Sequence, residues 1–334
     1  MANEPVVSVV LPVRDAVATL QGALNSIVTQ TFGHFELIVV DDGSTDGSAH
    51  VLTQARERDS RIRVVSNPGR GLTVAINHGV SLAQGRFIAR QDADDVSMPD
   101  RLERQVACLS RREDVCAVGT ATVIIDGAGE SLGDFPVRIG AAAVRAGLTS
   151  ARATPVHGSM MIRRESLAAV GGYRQAFLAA QDFDLWLRLL ERSDIDNIDE
   201  PLYRWRLASG SVYGAKREMQ VMYAGIALAF ARERAQHGED SCAALEEAGG
   251  DLETFARHYR LRGLLRSLWG ELLFRAVGAP RVANRHLRLA LRHGDVRLPT
   301  LLLWGWTWCG LPWIGGRPLR VPDSTNQCEG EARS

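Results

Sequence analysis

The chain has 334 residues, of which 46% are hydrophobic and 23% are charged, enough for a full-sized catalytic domain with an appendage. Its 39 Lys and Arg residues balance 39 Asp and Glu residues, so no overall positive field points to a nucleic-acid partner. The five cysteines form no CxxC pair and the N-terminus does not read as a signal peptide, which predicts reduced thiols in a cytoplasmic protein.

The first part of the chain alternates strand-like and helix-like patterns. Continuous apolar runs rich in Val and Ile at 6–13 and 35–43 predict strands that are covered on both faces. Between them, apolar residues at helical spacing in 17–30 predict a crossover helix. Further strands are predicted at 61–67, 85–92 and 115–126, and further helices near 71–83 and 99–112. This alternation predicts an α/β fold with a mostly parallel sheet.

After about residue 150 the alternation is lost. The sequence predicts a short strand with a Gly-Ser turn at 156–165 and an amphipathic helix at 181–192. A strand broken by Pro201 is predicted at 198–207. From about 213 to 295 the pattern becomes helical and rich in arginine.

Three of the predicted strands end in acidic residues. Open α/β sheets bind ligands outside the carboxyl ends of their strands, so one site is expected to collect the three segments. The acids concerned are Asp15 after the first strand, Asp41 and Asp42 after the second, and Asp92, Asp94 and Asp95 after the strand at 85–92.

The cluster of Asp92, Asp94 and Asp95 predicts a site for Mn²⁺ or Mg²⁺. These cations prefer oxygen ligands and typically use one or two carboxylates together with substrate phosphates. A sugar or ribose hydroxyl is an alternative ligand, and a cap for the helix near Pro99 would explain one acid but not three. A calcium loop is excluded, because the segment DADDVSMPDRLE lacks glycine at its sixth position.

The acidic pair of Asp41 and Asp42 has two interpretations. A carboxylate at this strand end can accept a hydrogen bond from a nucleotide base or a ribose hydroxyl. Alternatively, the pair forms a tight turn at Gly43 before a helix capped by Ser44 or Thr45, for which one acid would be enough.

Three blocks of sequence together resemble a family 2 glycosyltransferase with the GT-A fold. They are VSVVLPVRDAVATLQGALNSIVTQTFGHFELIVVDDGSTDGS, NPGRGLTVAINHGVSLAQGRFIARQDADD and HGSMMIRRESLAAVGGYRQAFLAAQDFDLWLRLL. The resemblance covers roughly residues 6–207 and depends on the order, spacing and strand-end positions of the blocks. It implies an inverting enzyme that moves a sugar from a nucleotide-diphosphate donor, expected to be a UDP-sugar, to a hydroxyl of a glycan or lipid-linked acceptor. Surface polysaccharide synthesis is the implied setting.

The resemblance also implies roles for individual residues. Asp92 and Asp94 match the Asp-x-Asp motif, with Asp95 adjoining, so Asp94 and Asp95 are the implied metal ligands. Asn77 has the alternative of fixing helix packing. The residues implied to hold the nucleotide are Pro12, Asp15, Asp41, Asp42, Arg70, Asn77 and Asp92.

The catalytic base of the family lies in an acidic dipeptide at the start of a helix, which here is Gln181-Asp182. Asp182 is the carboxylate that matches the base and would take the proton of the acceptor hydroxyl. Its alternative role is an N-cap of the following helix. His157 and Gln181 are expected to face the acceptor or the diphosphate, and Trp205 the acceptor. A structural turn at His157 and a solvated strand face at Trp205 are the alternatives.

The expected organisation has a GT-A catalytic domain at 1–210 and a helical C-terminal appendage. The domain divides into a nucleotide-binding half at about 1–126 and an acceptor half at about 127–210, and it is followed by an Arg-rich helical region at 211–297, a Trp-rich apolar segment at 298–316 and a polar tail at 317–334.

The Arg-rich region beside the Trp-rich segment predicts peripheral contact with an anionic membrane surface, on the inner face of the cell membrane. Packing of the tryptophans on the catalytic core is the alternative. Spanning is disfavoured by Pro299, Gly305, Gly310 and Pro312 within the segment.

Other functions fit the sequence less well. A nucleotidyltransferase needs a Gly-rich phosphate loop after the first strand, and a Rossmann dehydrogenase needs G-x-G-x-x-G after Val13; PVRDAVATL has neither. A non-catalytic sugar-nucleotide-binding or scaffold protein of the same fold is a further alternative, because Gln181 replaces an acid.

Overall fold

The computed structural model describes residues 4–207, 215–252 and 254–255. In chain order the strands are β1 (Val7–Val13), β2 (Phe35–Asp41), β3 (Ile62–Ser66), β4 (Phe87–Arg90), β5 (Val96–Ser97), β6 (Val115–Ile125), β7 (Ser131–Phe135), β8 (Met161–Arg163) and β9 (Asp194–Arg206). The helices are α1 (Val17–Val28), α2 (Ser48–Arg58), α3 (Leu72–Leu82), α4 (Arg101–Arg111), α5 (Ala141–Thr149), α6 (Arg164–Ala169), α7 (Gln181–Leu190), α8 (Ala215–His237) and α9 (Cys242–Glu247). The predicted α/β class is confirmed.

The strands of the described residues form one mixed sheet with the order β3-β2-β1-β4-β8-β6-β9-β5, and β7 pairs with β6. The neighbours β3, β2, β1 and β4 are all parallel, as the alternating pattern of the first part predicted. The second part is mixed, because β8 runs antiparallel to both β4 and β6, whereas β9 is parallel to β6. The parallel pattern is therefore confined to the β3-β2-β1-β4 part of the sheet, and the antiparallel strands β5, β7 and β8 lie in the other part.

Both faces of the central strands are covered, which explains their continuous apolar sequences. Val9 and Leu11 of β1 belong to a buried cluster that also contains Leu20 and Leu24 of α1. On the opposite face Val10 packs so closely on α3 that a Cβ on Gly79 would lie 2.6 Å from its Cγ1. A strand between two helix layers buries every side chain, and β1 is buried throughout.

The strand predicted at 198–207 is longer than expected and is not broken at Pro201. β9 continues through Pro201, and its register with β6 shifts there: Ile198 lies opposite Thr120, and Pro201 lies opposite Ala121. A bulge of this kind accommodates the missing N–H of proline while keeping the flanking residues paired. The prediction of a break was wrong because a local bulge is sufficient.

The C-terminal predictions are covered only in part. α8 and α9 lie within the predicted Arg-rich helical region, whereas 298–316 and 317–334 lie outside the described residues. In the described ranges, no helix combines the length and the apolar character that crossing a bilayer requires. Among the described cysteines, Cys108 is partly buried and Cys116 and Cys242 are buried, each as a free thiol; Cys309 and Cys328 lie outside the described residues.

Gly85 provides a test of the tight connection between α3 and β4. It is buried, and a Cβ there would lie 2.6 Å from the backbone nitrogen of Ser8. Because backbone atoms of a central strand cannot move aside cheaply, Gly85→Ala is expected to destabilise the protein by about 1–3 kcal/mol. Chemical denaturation measures the change.

The matched control is Gly22→Ala in α1, where Gly22 is exposed and an added Cβ meets no atom within 4 Å. That substitution is expected to stabilise the protein by about 0.5–1 kcal/mol, because glycine is unfavourable inside a helix. Equal unfolding free energies for the two variants would contradict the close packing at Gly85.

Candidate active site

The acidic segments predicted to converge lie at one edge of the sheet. β2, β1 and β4 are neighbouring parallel strands, so their carboxyl ends point the same way. Asp42 N donates to Val13 O at 2.8 Å, and Gln91 N donates to Val10 O at 3.2 Å. The Thr19 hydroxyl of α1 donates to Ala93 O at 3.0 Å. The turns that follow these strands are therefore joined to one another.

Pro12 lies where β1 extends beyond β4. The pairing of β1 with β4 ends at Val10, whose carbonyl is directed toward β4. Residues two apart in a strand present their backbone polar groups to the same side, so the missing N–H of Pro12 leaves no strand partner unbonded. β1 can thus continue to Val13 without β4 beside it, and it leads directly into Arg14 and Asp15.

Asp41 and Asp15 hold the turn after β2. Asp41 Oδ1 accepts hydrogen bonds from Ser44 N at 3.0 Å and from the Ser44 hydroxyl at 2.6 Å. Asp15 Oδ1 accepts from Thr45 N at 2.8 Å, and Asp15 adopts a left-handed backbone with φ 49°. No described residue donates a hydrogen bond to Asp41 Oδ2, which leaves this oxygen available for a ligand.

Both carboxylate oxygens of Asp42 have hydrogen-bond partners within the protein. Its side chain is only 6% exposed. Oδ1 accepts from Asn67 Nδ2 at 2.6 Å, Oδ2 accepts from Gly71 N at 3.0 Å, and Arg14 Nη1 lies 3.4 Å from Oδ2. These contacts tie the end of β2 to the loop ahead of α3, so Asp42 holds that loop in place.

A buried arginine joins the end of β4 to its surroundings. Arg90 is fully buried, and its Nη2 donates to Asp92 Oδ1 at 2.5 Å. Its Nη1 donates to Val10 O at 2.9 Å, and its Nε donates to His157 Nε2 at 3.3 Å. Burial is the largest single effect and opposes the ionisation of Asp92, but the charges of Arg90 and Arg101 and the Arg90 hydrogen bond act with the effect of His157 to lower the pKa of Asp92. Asp92 is therefore ionised.

His157 belongs to the same hydrogen-bonded group. The Tyr173 hydroxyl lies 2.8 Å from His157 Nε2, and Asn77 bonds both the backbone N and the backbone O of Tyr173, at 3.0 and 2.7 Å. Burial, reinforced by the Arg90 charge, lowers the pKa of His157 to about 3. The imidazole is consequently neutral at physiological pH. Asn77 fixes α3 against the chain at Tyr173, which was its alternative role.

Asp95 and Asp94 differ in their surroundings. Asp95 is 2% exposed, and its carboxylate accepts from the Tyr203 hydroxyl and from Arg206 N, each at 2.8 Å. Burial and the charges of Asp92 and Asp94 raise the pKa of Asp95 to about 8. Burial and the Asp92 charge also raise the pKa of Asp94, to which no described side chain donates a hydrogen bond. Asp94 is thus the more available of the two carboxylates.

Gly158 permits three elements to meet. A Cβ at this position would lie 2.1 Å from the Tyr203 hydroxyl oxygen and 2.8 Å from Asp92 Oδ2. The same hydroxyl accepts a hydrogen bond from Asp92 N at 3.3 Å. The Gly-Ser turn, the acidic loop and β9 can approach this closely only because residue 158 has no side chain.

Asp182 occupies the first turn of α7, which begins after Ala180 in a left-handed conformation with φ 51°. Burial raises the pKa of Asp182, the negative charge of Asp92 raises it further, and Arg90 opposes the rise. One turn further along α7, the Trp186 ring packs edge-on against the His157 ring, with centroids 6.0 Å apart, so α7 contacts the hydrogen-bonded group that contains Arg90 and Asp92. A carboxylate with a raised pKa is suited to accept a proton. Gln181 beside it is partly exposed.

Of the remaining predicted residues, Arg70 lies at the surface and Trp205 packs on another strand. Arg70 is exposed in the loop ahead of α3. Trp205 packs edge-to-face on Phe135 of β7, with the ring centroids 5.4 Å apart. The sequence analysis missed Arg90, Tyr173 and Tyr203; for Arg90 alone a signal existed, because a charge inside the apolar strand FIAR is unusual.

Residues 8–171 match the family model described as "Glycosyl transferase family 2". The chain is also 36% identical over 212 residues to the putative glycosyltransferase EpsE of Bacillus subtilis, an alignment that covers 62% of this chain and 74% of EpsE. The chain belongs to glycosyl transferase family 2.

Two other comparisons extend this result. This family 2 glycosyltransferase is 34% identical over 221 residues to the O-antigen biosynthesis protein RfbC of Myxococcus xanthus, covering 65% of the chain but 17% of RfbC. The mannosyltransferase PcManGT of Pyrobaculum calidifontis, solved with GDP-Man and Mn²⁺, matches with a TM-score of 0.53 at 20% identity, over 92% of this chain and 81% of PcManGT. The predicted GT-A fold is confirmed by this structural likeness.

The carboxylates of this glycosyltransferase fit a divalent cation whose coordination shell is completed by substrate phosphates. Among the described residues, no group of three or more His, Cys, Asp or Glu side chains is arranged to hold a metal ion. Asp92 and Asp94 are partly exposed carboxylates at the strand end. Mg²⁺ and Mn²⁺ are commonly bound by one or two carboxylates together with substrate phosphates, so two such carboxylates are a sufficient protein contribution.

The pKa of His157 predicts a pH effect on stability. A histidine whose pKa is lowered by folding stabilises the folded state above its unfolded pKa of about 6.5, and this contribution is lost as the pH falls toward about 3. His157→Gln is expected to reduce the fall in unfolding free energy between pH 6.5 and 5, by up to about 1.4 kcal/mol per pH unit. Urea denaturation at each pH measures this slope.

The control is His50→Gln, since His50 is exposed on α2. That variant should keep the wild-type slope. A His157→Gln slope equal to that of wild type would show that His157 takes up its proton normally.

Proposed function

We propose that the chain is an inverting, Mn²⁺- or Mg²⁺-dependent glycosyltransferase that transfers a sugar from a nucleotide-diphosphate donor to an acceptor hydroxyl. The observation that carries this proposal is the packing of α7, whose first turn holds Asp182, against the Arg90–Asp92 pair at the end of β4: the Trp186 ring of α7 lies edge-on to the His157 ring, with centroids 6.0 Å apart, and His157 accepts a hydrogen bond from Arg90. An inverting transfer needs a base and a diphosphate site close together, and this packing supports assigning those two roles to Asp182 and to the end of β4.

The donor side of the proposal rests on the turns after β1, β2 and β4. We assign the base and ribose to the surface formed by Pro12, Asp15, Asp41 and Asp42, with Arg70 and Asn77 at its margin. Asp41 Oδ2 is the free acceptor there for a ribose hydroxyl or a base N–H. A uridine nucleotide is the donor we propose, and the GDP-Man in PcManGT makes guanosine the alternative to compare with it.

The reaction assigns separate tasks to the two groups of carboxylates. Asp182 accepts the proton of the acceptor hydroxyl as that oxygen attacks the anomeric carbon from the face opposite the nucleotide. Arg90 keeps Asp92 ionised, so Asp92 and Asp94 can hold a cation at the diphosphate. A bound divalent cation would neutralise the charge that develops on the leaving diphosphate. His157 and Gln181 would border the acceptor, with Trp205 on its outer side.

For the acceptor we propose a hydroxyl of a glycan or of a lipid-linked glycan, in the synthesis of a surface polysaccharide. Similarity to RfbC, named for O-antigen biosynthesis, supports this setting. We also propose that the Arg-rich region and the Trp-rich segment at 298–316 attach the enzyme to an anionic membrane surface, on the basis of their composition.

Asp182→Asn tests the base. Because an amide cannot take the proton, the turnover number kcat for sugar transfer or donor hydrolysis with Mn²⁺ is expected to fall about 10²–10⁴-fold. Donor binding, measured by calorimetry, should remain within about threefold of wild type, since Asp182 is not assigned to the nucleotide. Glu165→Gln is the matched control, because Glu165 is also an acid in the first turn of a helix and is exposed.

Equal activity of wild type and Asp182→Asn would mean that another group is the base. Donor binding without turnover in the wild type, across UDP- and GDP-sugars and a range of acceptors, would favour a sugar-nucleotide-binding protein instead.

Asp94→Asn and Asp95→Ala show which of these two acids binds the cation beside Asp92. Asp94→Asn is expected to weaken the Mn²⁺-dependent binding of a nucleoside diphosphate about tenfold or more, with little change in stability, because no described side chain donates a hydrogen bond to its carboxylate. Asp95→Ala removes the acceptor for Tyr203 and Arg206 and is expected to lower the unfolding free energy by about 1–3 kcal/mol. Calorimetry and urea denaturation measure the two effects; the reverse pattern would make Asp95 the main ligand.

A further inference from the structure

α8 and α9 pack against the segment that leads into α7. The Phe177 ring contacts the rings of Tyr223 and Phe230 on α8, with centroids 5.9 and 6.0 Å apart, and all three residues are buried. Behind α9, a Cβ on Gly250 would lie 2.7 Å from Ala176 O. The chain immediately before Ala180 and Asp182 is therefore held by residues that lie beyond the 8–171 matched by the family model.

Asp240, between α8 and α9, is the centre of a buried ionic network. Its side chain is 3% exposed, and its Oδ2 accepts from Arg174 Nη1 at 2.7 Å and also from Arg234 Nη1. Its Oδ1 accepts from Cys242 N at 3.0 Å, which starts α9. Burial works against the charge of Asp240, but hydrogen bonds from the two arginines lower its pKa, so the carboxylate is ionised.

Each of the two arginines also contacts α7. Arg174 Nη1 lies 3.4 Å from Oδ1 of Asp184, a fully buried acid two residues after Asp182. Arg234 makes a two-pronged contact with Glu191, which follows the last residue of α7, at 2.7 and 3.0 Å. Asp240 thus connects, through one arginine each, to the beginning and to the end of the helix that carries Asp182.

Two fixed points determine the direction of a helix and its rotation about its axis. At the first point, Arg188 donates to Asp184 at 2.9 Å, so that acid is held from two sides. The left-handed backbone at Ala180, which is unfavourable for a residue with a Cβ, needs such external support to persist. A misplacement of a catalytic group by about 1 Å can lower the rate about 10²-fold. Loosening this network is therefore expected to lower the turnover number.

We propose that Asp240 is a positioning residue that holds α7 in the orientation in which Asp182 meets the acceptor hydroxyl. This inference rests on the proposed role of Asp182 as the base. The α8–α9 region therefore contributes to catalysis by holding α7 in position. An amide at position 240 keeps the shape of the side chain but leaves both arginines without their shared negative charge.

Asp240→Asn in the full chain tests the inference. The turnover number with Mn²⁺ and saturating donor is expected to fall about 10–100-fold. The donor KM should stay within about threefold, because Asp240 contacts none of the turns assigned to the nucleotide. The matched control is Asp59→Asn, which breaks an equally close pair, with Arg61 at 2.6 Å, away from α7. That control should retain its kcat while losing stability.

Combination with Asp182→Asn distinguishes positioning from general damage. If Asp240 acts through Asp182, the double variant has the same residual kcat as Asp182→Asn alone, because no base remains to be positioned. A further drop of 10-fold or more in the double variant, as general damage would give, would overturn the inference. So would a kcat for Asp240→Asn within about threefold of wild type, or a kcat loss in Asp59→Asn equal to that in Asp240→Asn.

The outcomes also separate this inference from the proposed function. Inactive Asp182→Asn with active Asp240→Asn refutes only the role of Asp240, whereas active Asp182→Asn refutes the base itself. If Asp240→Asn fails to fold, Glu191→Gln loosens only the exposed end of the network and is expected to lower kcat about two- to fivefold at unchanged donor KM. An unchanged kcat in that variant would overturn the inference.

Discussion

The ion pair between Arg90 and Asp92 is the interaction on which the rest of the site depends. A guanidinium removed from water costs several kcal/mol unless a negative charge and hydrogen-bond acceptors surround it. At the end of β4 these partners are Asp92, the carbonyl of Val10 and the ring of His157. The first acid of the loop is consequently ionised and oriented by the fold itself, and burial, reinforced by the Arg90 charge, lowers the pKa of the neighbouring His157 so that its imidazole is neutral. Preorganised charge of this kind needs no rearrangement when a substrate binds.

The acidic residues divide into two groups according to their hydrogen bonds. Asp42, Asp95 and Asp240 have both carboxylate oxygens engaged by backbone or side-chain donors, so they hold loops and strands in place. Asp94 and Asp182 have raised pKa values, and no described side chain donates a hydrogen bond to either. An acid with donors on both oxygens stabilises the structure, whereas an acid that accepts only backbone hydrogen bonds from its own turn is more available to a ligand. Some of the acids at this edge of the sheet therefore stabilise the fold, and others are available for binding and catalysis.

Much of the architecture follows from local sequence. The uninterrupted apolar runs of β1 and β2 and the helical spacing in α1 and α7 are properties of single segments, and their positions were predicted within a few residues. The convergence of the strand-end acids also follows, because it needs only the rule that parallel strands end at the same edge. The hydrogen-bond partners of those acids cannot be predicted from the local sequence. Tyr203 is 108 residues from Asp95, and the contact exists only after β9 has paired with β5 and β6. Periodicity reports which face is buried and carries no information about which side chain it meets.

The close contact at Gly158 has an evolutionary consequence. The Tyr203 hydroxyl and the Asp92 carboxylate occupy the volume that any side chain at position 158 would need. Removing the hydroxyl would not be enough, because a methyl group at position 158 would also lie 2.7 Å from the ring carbon Cζ of Tyr203 and 2.8 Å from Asp92 Oδ2. A substitution of Gly158 that keeps the fold would therefore need compensating changes both on β9 and in the acidic loop, which no single mutation supplies.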